Sequence, residues 1–145
     1  MSKSNSLENE LLLHIFNNSS ITLVGDASGL LGSATAGSIY VSLHSADPGE
    51  AGDQTTNEVA YGSYARVAVA RSGAGWTVTT NSVSPTSHIE FPQCTSSTAT
   101  VTHVGIGTAA SSAGKLLYSG SLSPSINIST GIIPRVTNTS VITED

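Results

Sequence analysis

From position 39 onward the chain alternates apolar and polar residues in short runs, each cut off by proline, glycine or serine. Ile39, Val41 and Leu43 alternate with Tyr40, Ser42 and His44. Ala65, Val67 and Val69 alternate with Tyr64, Arg66 and Ala68, and Ile89 and Phe91 alternate with His88 and Glu90. Trp76 with Val78, Val104 with Ile106, residues 116–118, Ile126 with Ile128 and residues 136–142 continue the pattern. Successive side chains of an extended strand point to opposite faces, so a period of two marks strands that bury one face. The breaks fall at Asp47-Pro48-Gly49, Gly73-Ala74-Gly75, Ser84-Pro85, Ser112-Ala113-Gly114, Ser123-Pro124 and Ile133-Pro134. Proline removes a ladder donor and glycine supplies positive φ, so each predicts a turn or an edge. About eight short strands with such spacing predict a mainly β chain, an antiparallel β-sandwich with a jelly-roll-like arrangement. There is no repeat of solenoid period and no heptad array, so the sequence encodes no elongated shaft.

Ahead of the strands, Leu7, Leu11 and Ile15 recur every four residues, with Leu12 and Phe16 widening the stripe. That spacing predicts a short amphipathic helix, with Ser6 as its N-cap, Glu8 favourable to the helix dipole and Asn17-Asn18 as its stop. A helix of about a dozen residues is marginal alone, so its apolar face needs a partner, either the chain's own sheet or a neighbouring subunit. Residues 21–37 hold Ile21, Leu23 and Val24 and then a stretch rich in glycine, serine and alanine around Leu30 and Leu31, which reads as a short strand and a long loop. The organisation expected is therefore a helix over 1–18, a loop or insertion over 19–38 and a β-sandwich domain over 39–145. At 145 residues, one domain of this kind buries enough surface to fold without a metal or a disulfide.

Charge narrows the class of partner. Charged residues make up 10% of the chain, against roughly 25% in an ordinary soluble domain. Interface cores are depleted of charge, so such a surface suits contact with other protein. The net charge of -5 and five scattered basic residues argue against nucleic acid, whose binding needs clustered Lys or Arg. No run approaches the ~20 apolar residues of a membrane span, and no apolar signal core is apparent, so synthesis in a cytoplasm is the expectation. Cys94, alone of its kind and without a neighbouring cation, reads as a buried, inert thiol.

The residues that could carry chemistry do not converge. The loop Asp47-Pro48-Gly49-Glu50-Ala51-Gly52-Asp53 groups carboxylates as calcium sites do, but it lacks alternating ligand spacing and reads as a solvated turn. His14, His44, His88 and His103 form no metal-ligand pair; His88 and His103 could meet across a hairpin, yet no zinc spacing follows. No serine sits in a nucleophile elbow. Gly105-Ile106-Gly107 starts like a dinucleotide loop, but position 110 is alanine and no helix pattern follows. Trp76 and the four tyrosines read first as core, with a sugar-binding face, including exposed Tyr61 and Tyr64, as the sharper alternative. No catalytic residue, cofactor or metal is expected, and the chain reads as a non-enzyme.

Several stretches together resemble a family of small tailed-phage virion structural proteins, commonly labelled phage tail-fibre proteins. They are the helix Leu7 to Phe16, Ile39 through Gly52, Tyr64 through Val69, Asn81-Ser82-Val83-Ser84, Ile89-Glu90-Phe91-Pro92, Val101 through Ile106, Gly114 through Gly120 and the closing Ile142-Thr143-Glu144-Asp145. The departure is the segment 21–37, where relatives pass more directly from helix to strand. The resemblance implies a non-enzymatic bacteriophage protein on the exterior of the virion, made in the bacterial host, and brings no catalytic residue. Capsid decoration is the favoured expectation, because one compact domain without a shaft suits a surface clamp. A tail-fibre or tail-associated adaptor, or a module for a host-surface glycan or receptor, is the alternative. The expected partners are the major capsid protein or tail proteins and further copies of the chain. Leu7, Leu11, Ile15, Leu30 and Leu31 are the expected interface residues.

Overall fold

In the computed structural model, which describes residues 2–145, the protein is mainly β with one helix and antiparallel sheets, and no barrel closes among the described residues. The chain forms two compact units. The first gathers residues up to Ser38, Val69–His88 and Thr137–Asp145; the second gathers Ile39–Ala68 and Ile89–Val136.

The first unit is organised by helix α1, Asn5–Asn17. Its N-cap is Ser4 and not Ser6: the Ser4 hydroxyl accepts from the Leu7 amide at 3.3 Å. The cap therefore starts the helix two residues earlier than the sequence suggests, and Glu8 stays in the first turn, where the dipole favours it. Asn18 closes the helix at φ 58, in the left-handed region that asparagine tolerates, and its amide donates to the Leu13 carbonyl. The buried stripe is Glu8, Leu12 and Phe16, one position round from Leu7, Leu11 and Ile15. Phe16 meets Trp76 edge to face, with ring centroids 4.8 Å apart. The indole N–H of Trp76 finds no acceptor among the described residues, so that contact is apolar and aromatic.

Trp76 opens β3 (Trp76–Thr79), which pairs antiparallel with β4 (Ser82–Pro85). In turn β4 pairs with β9 (Ile142–Thr143) at Val83↔Ile142. Asn9 donates to the Thr80 carbonyl at 2.7 Å, and Lys3 reaches both the Glu144 carboxylate and the Asp145 carbonyl. Arg71 donates to the carbonyls of His14 and Ile15 at 2.7 Å each. That places a cation where the helix C-terminus presents unpaired carbonyls and a partial negative charge.

In the second unit, β1 (Ser38–His44), β6 (Ala99–Gly107) and β7 (Leu116–Ile128) form an antiparallel run; the sheet's strand order is β2-β1-β6-β7, where β2 is Val67–Ala70 and only its Val67 and Ala68 fall in this unit. The register sets Val41 opposite Ile106 and Leu43 opposite Val104. A short pair, β5 (Ile89–Glu90) with β8 (Arg135–Val136), completes the unit and carries the Glu90–Arg135 ion pair. Its core includes Val41, Leu43, Val59, Phe91, Val101, Ile106 and Ile128.

Three further expectations change. The break at Ser123-Pro124 is not a turn: Pro124 lies within β7, where residues 122–125 bulge opposite Thr102. An edge strand admits proline because its outward amide has no ladder to serve. The patterned run 136–142 divides between β8 and β9, which belong to different sheets. And β1 does not alternate; Val41, Ser42, Leu43 and His44 are all buried, since a central strand is covered on both faces.

The position of the helix stripe can be checked directly. Leu12→Ala should lower the free energy of unfolding by about 2–5 kcal/mol, whereas Leu7→Ser on the open stripe should cost under about 0.5 kcal/mol. Urea denaturation followed by circular dichroism separates the two. Equal losses would show that the Leu7 stripe is the docked one.

Candidate functional site

Three features carry side chains with something to offer. They are a buried polar cluster in the second unit, an open acidic cleft in the same unit, and an apolar loop on the first unit.

The polar cluster is built on β1. Alternate residues of a strand share a face, so Ser42 and His44 lie side by side, and Ser42 Oγ is 2.8 Å from His44 Nε2. The other ring nitrogen, Nδ1, is 2.8 Å from the Thr56 carbonyl. A carbonyl only accepts, so Nδ1 carries the proton and Nε2 accepts from the Ser42 hydroxyl. The pairing has the connectivity of a nucleophile and its base. Both side chains, however, are fully buried, and Gly105 packs against them from β6. A Cβ at Gly105 would sit 2.5 Å from His44 Nε2 and 2.7 Å from Ser42 Oγ, so the position admits only glycine without a shift. Burial holds the His44 pKa below its ordinary 6.5, with the Thr56 carbonyl bond opposing that effect.

Beside it stands the ion pair Arg66–Glu58. Arg66 Nε and Nη2 donate to the two Glu58 carboxylate oxygens at 2.7 Å each. Nη1 donates to the Ala109 carbonyl at 2.9 Å and Nη2 to the Ser112 carbonyl at 2.8 Å. The Tyr64 hydroxyl donates to Glu58 Oε1 and accepts from the Leu43 amide. The Glu58 hydrogen bond raises the Arg66 pKa further, and burial raises that of Tyr64. Gln54, fully buried, donates to the Tyr40 carbonyl and accepts from the Ala109 amide. Together these bonds fasten the loops 45–58 and 108–115 to the sheet. In the sequence Arg66 is one of five scattered basic residues; its role depends on Glu58 eight positions earlier and on two carbonyls far along the chain.

These contacts also settle the aromatic residues. Tyr61 is buried, its hydroxyl donates to the Pro92 carbonyl at 3.0 Å, and burial pushes its pKa up to about 12. Tyr64 stacks on Phe91 and packs edge-on against Tyr61. Tyr61 is core and Tyr64 is half-buried against it, so these two rings do not stand exposed as the sugar-binding alternative requires. Cys94 is buried, and its Sγ lies 3.2 Å from the Ser96 carbonyl. His103 stands opposite His44 in the β1–β6 register, not opposite His88. His88 belongs to the first unit and accepts from the Asn138 amide.

The acidic loop closes on itself. Asp47 Oδ1 accepts from the Gly49 amide, and Asp53 Oδ1 accepts from the amide and hydroxyl of Thr55. Those Thr55 bonds hold the Asp53 carboxyl below its ordinary pKa. Asp47 and Glu50 line an open cleft of about 440 Å³, whose other wall is Leu116 to Ser119 of β7. Among the described residues no group of three or more His, Cys, Asp or Glu is placed to hold a metal ion, and no helix is long and apolar enough to cross a membrane.

The apolar loop is more ordered than its composition suggests. Ile21 and Leu30 exchange two backbone hydrogen bonds of 2.9 Å, which draw residues 22–29 into a finger. Asp26 Oδ1 caps the amides of Ser28 and Gly29 at its tip. The Asn18 side chain bonds both the amide and the carbonyl of Ser33, and Thr22 donates to Glu10 on α1. A Cβ at Gly29 would lie 2.0 Å from the Ile21 carbonyl oxygen, so the neck of the finger closes only around glycine. Leu30 and Leu31, two of the expected interface residues, are exposed here at 48% and 68%. Leu7 is exposed at 39% and Leu11 and Ile15 are half-buried. Leu23 and Val24, which the sequence predicts as part of a short strand, instead join Leu30 and Leu31 on the finger.

A mainly β protein that buries Ser42 and His44 and exposes Leu23, Leu30 and Leu31 on an ordered loop offers apolar surface for contact with other protein. Comparison with known proteins gives the class a family: residues 2–144 match the sequence model of the family described as Podophage GP4 fiber I protein gp80, and the chain belongs to that family. It is a phage structural protein of tail-fibre type, and a virion component. No curated protein matches the chain.

Two outcomes follow from the polar cluster. Arg66→Ala should destabilise the protein by about 3–5 kcal/mol, because it leaves a half-buried Glu58 carboxylate without its cation; thermal melting of the purified chain reads this. The His44 pKa is lower folded than unfolded, so on acidification the unfolded chain takes up a proton that the folded one resists. Its contribution is present above the unfolded value of 6.5 and is lost as pH falls below it. The melting temperature should drop from about pH 7 to about pH 5, and His44→Gln should flatten that drop.

Proposed function

We propose that the protein is a non-enzymatic, tail-associated component of the fibre apparatus, acting by protein–protein contact to hold other parts of the particle. The observation that carries this is the family match over residues 2–144, whose description is of a fibre protein. It shifts the balance from capsid decoration, which the single-domain sequence alone favours, to the tail-fibre alternative. The physical character of the chain supports an adaptor role. Charge is scarce, so a large contact can be made without desolvating many ions. The Ser42–His44 side-chain pair is sealed inside the sheet, where no substrate reaches it. An adaptor needs a rigid body with a few exposed anchors. The Arg66–Glu58 clamp stiffens the second unit, and the first unit is held by its own helix caps and carries the finger with its anchors.

Copy number tests the assignment. Quantitative mass spectrometry of intact, gradient-purified particles should find tens of copies or fewer per virion, a number set by tail symmetry. A stoichiometry close to that of the major capsid protein would instead identify a decoration protein.

A further inference from the structure

The finger at residues 21–31 combines features that rarely occur together without a partner. Leu23 is 79% exposed, and Val24, Leu30 and Leu31 are 44%, 48% and 68% exposed. Leu23 also sits at φ 59, in the left-handed region that a leucine occupies only at a cost. Such a loop would ordinarily collapse its leucines onto the nearest surface. Here backbone bonds at the neck, the Asp26 cap at the tip and the Thr22–Glu10 tie hold them outward. Arg71 reinforces the base, donating to the Ala36 carbonyl at 3.1 Å as well as to the end of α1. A preformed loop loses little conformational freedom on docking, so its apolar area converts efficiently into affinity. Exposed apolar clusters of this kind mark contact sites.

Charge indicates what covers it. The first unit carries the acidic residues Glu8, Glu10, Asp26, Glu144 and Asp145 against the basic residues Lys3 and Arg71. Lys3 is engaged by Glu144 and Asp145. Beside the leucines stand Glu10, at the root of the finger, and Asp26, at its tip. The finger is thus apolar with an anionic rim. A second copy of this chain is a poor receptor, because it brings the same net charge of -5 and its own cleft is lined by Asp47 and Glu50. We propose that residues 21–31 form a plug that seats in an apolar groove, rimmed by Lys or Arg, on a different protein of the particle. This rests on the reading of the chain as a particle-bound adaptor. Leu23 and Leu31 enter the groove, while Glu10 and Asp26 meet its basic rim and set the approach.

The test uses particles grown without this chain, mixed with the purified full-length protein, separated on a gradient and assayed for bound copies. Wild-type protein should bind, and binding should weaken as salt is raised. Leu23→Ser with Leu31→Ser should reduce bound copies at least about tenfold while leaving the melting temperature unchanged, since both side chains are exposed. Glu10→Gln with Asp26→Asn keeps the internal acceptors but removes the charges; it should bind several-fold more weakly and lose most of the salt dependence. If the leucine variant binds as wild type, the plug is overturned while the adaptor reading stands. If wild-type protein does not bind particles at all, the adaptor reading itself falls. If only the charge variant binds as wild type, the basic rim is wrong. A purified chain that is dimeric, and that Leu31→Ser makes monomeric, would assign the finger to a second copy and overturn the proposal.

Discussion

The second unit depends on one buried guanidinium. Arg66 makes four hydrogen bonds, two to Glu58 and two to carbonyls of the 108–115 loop, and each holds a loop that has almost no strand pairing of its own. A planar fork with donors in fixed directions suits this task, and a lysine would not serve it. The surrounding polar groups follow the same logic. Glu58 is shared with Tyr64, Tyr64 receives the Leu43 amide, and Gln54 bridges the Tyr40 carbonyl and the Ala109 amide. Each buried polar group finds a partner, so the network adds rigidity without leaving an orphaned charge. Long loops thereby behave as extensions of the sheet, which is what a chain with short strands needs if it is to present a fixed surface.

The first unit solves the same problem with helix ends. Its short helix would be marginal in isolation. Ser4 and Asn18 cap it, Arg71 neutralises its C-terminal carbonyls, and Phe16 anchors it on Trp76. The finger then grows from the capped end, so the order of the loop is inherited from the helix. Asn18 illustrates the economy: its backbone closes α1 while its side chain binds Ser33 at the far side of the finger.

How much of this could be read from the residues alone varies with the range of the interaction. Period-two patterning located β1, β3, β5 and β6, because face alternation is a local property. The helix was legible too, with Leu12 and Phe16 as part of its stripe, but that they and Glu8 form its buried centre was not. Leu7, Leu11 and Ile15 look more apolar than Glu8, Leu12 and Phe16, and only the position of Trp76 decides between them. Pro124 reads as a turn until β7 is known to be an edge. The burial of Tyr61, the packing of Tyr64 against it and the pairing of Arg66 with Glu58 rest on tertiary contacts that no local window contains. In the finger, Leu30 and Leu31 stood out as apolar residues amid small ones, but nothing nearby announced that Ile21 and Leu30 bond to one another. What ordered the loop was invisible where its exposed side chains were not.

The outer strand β7 has a further consequence. It ends the sheet, runs 13 residues and carries no charged side chain, which is the profile of a strand that recruits copies of itself into fibrils. Pro124 interrupts that profile midway, because it offers no amide hydrogen and sits in a bulge that bends the rim out of register. One imino acid on the open border thus works against the addition of a further strand there.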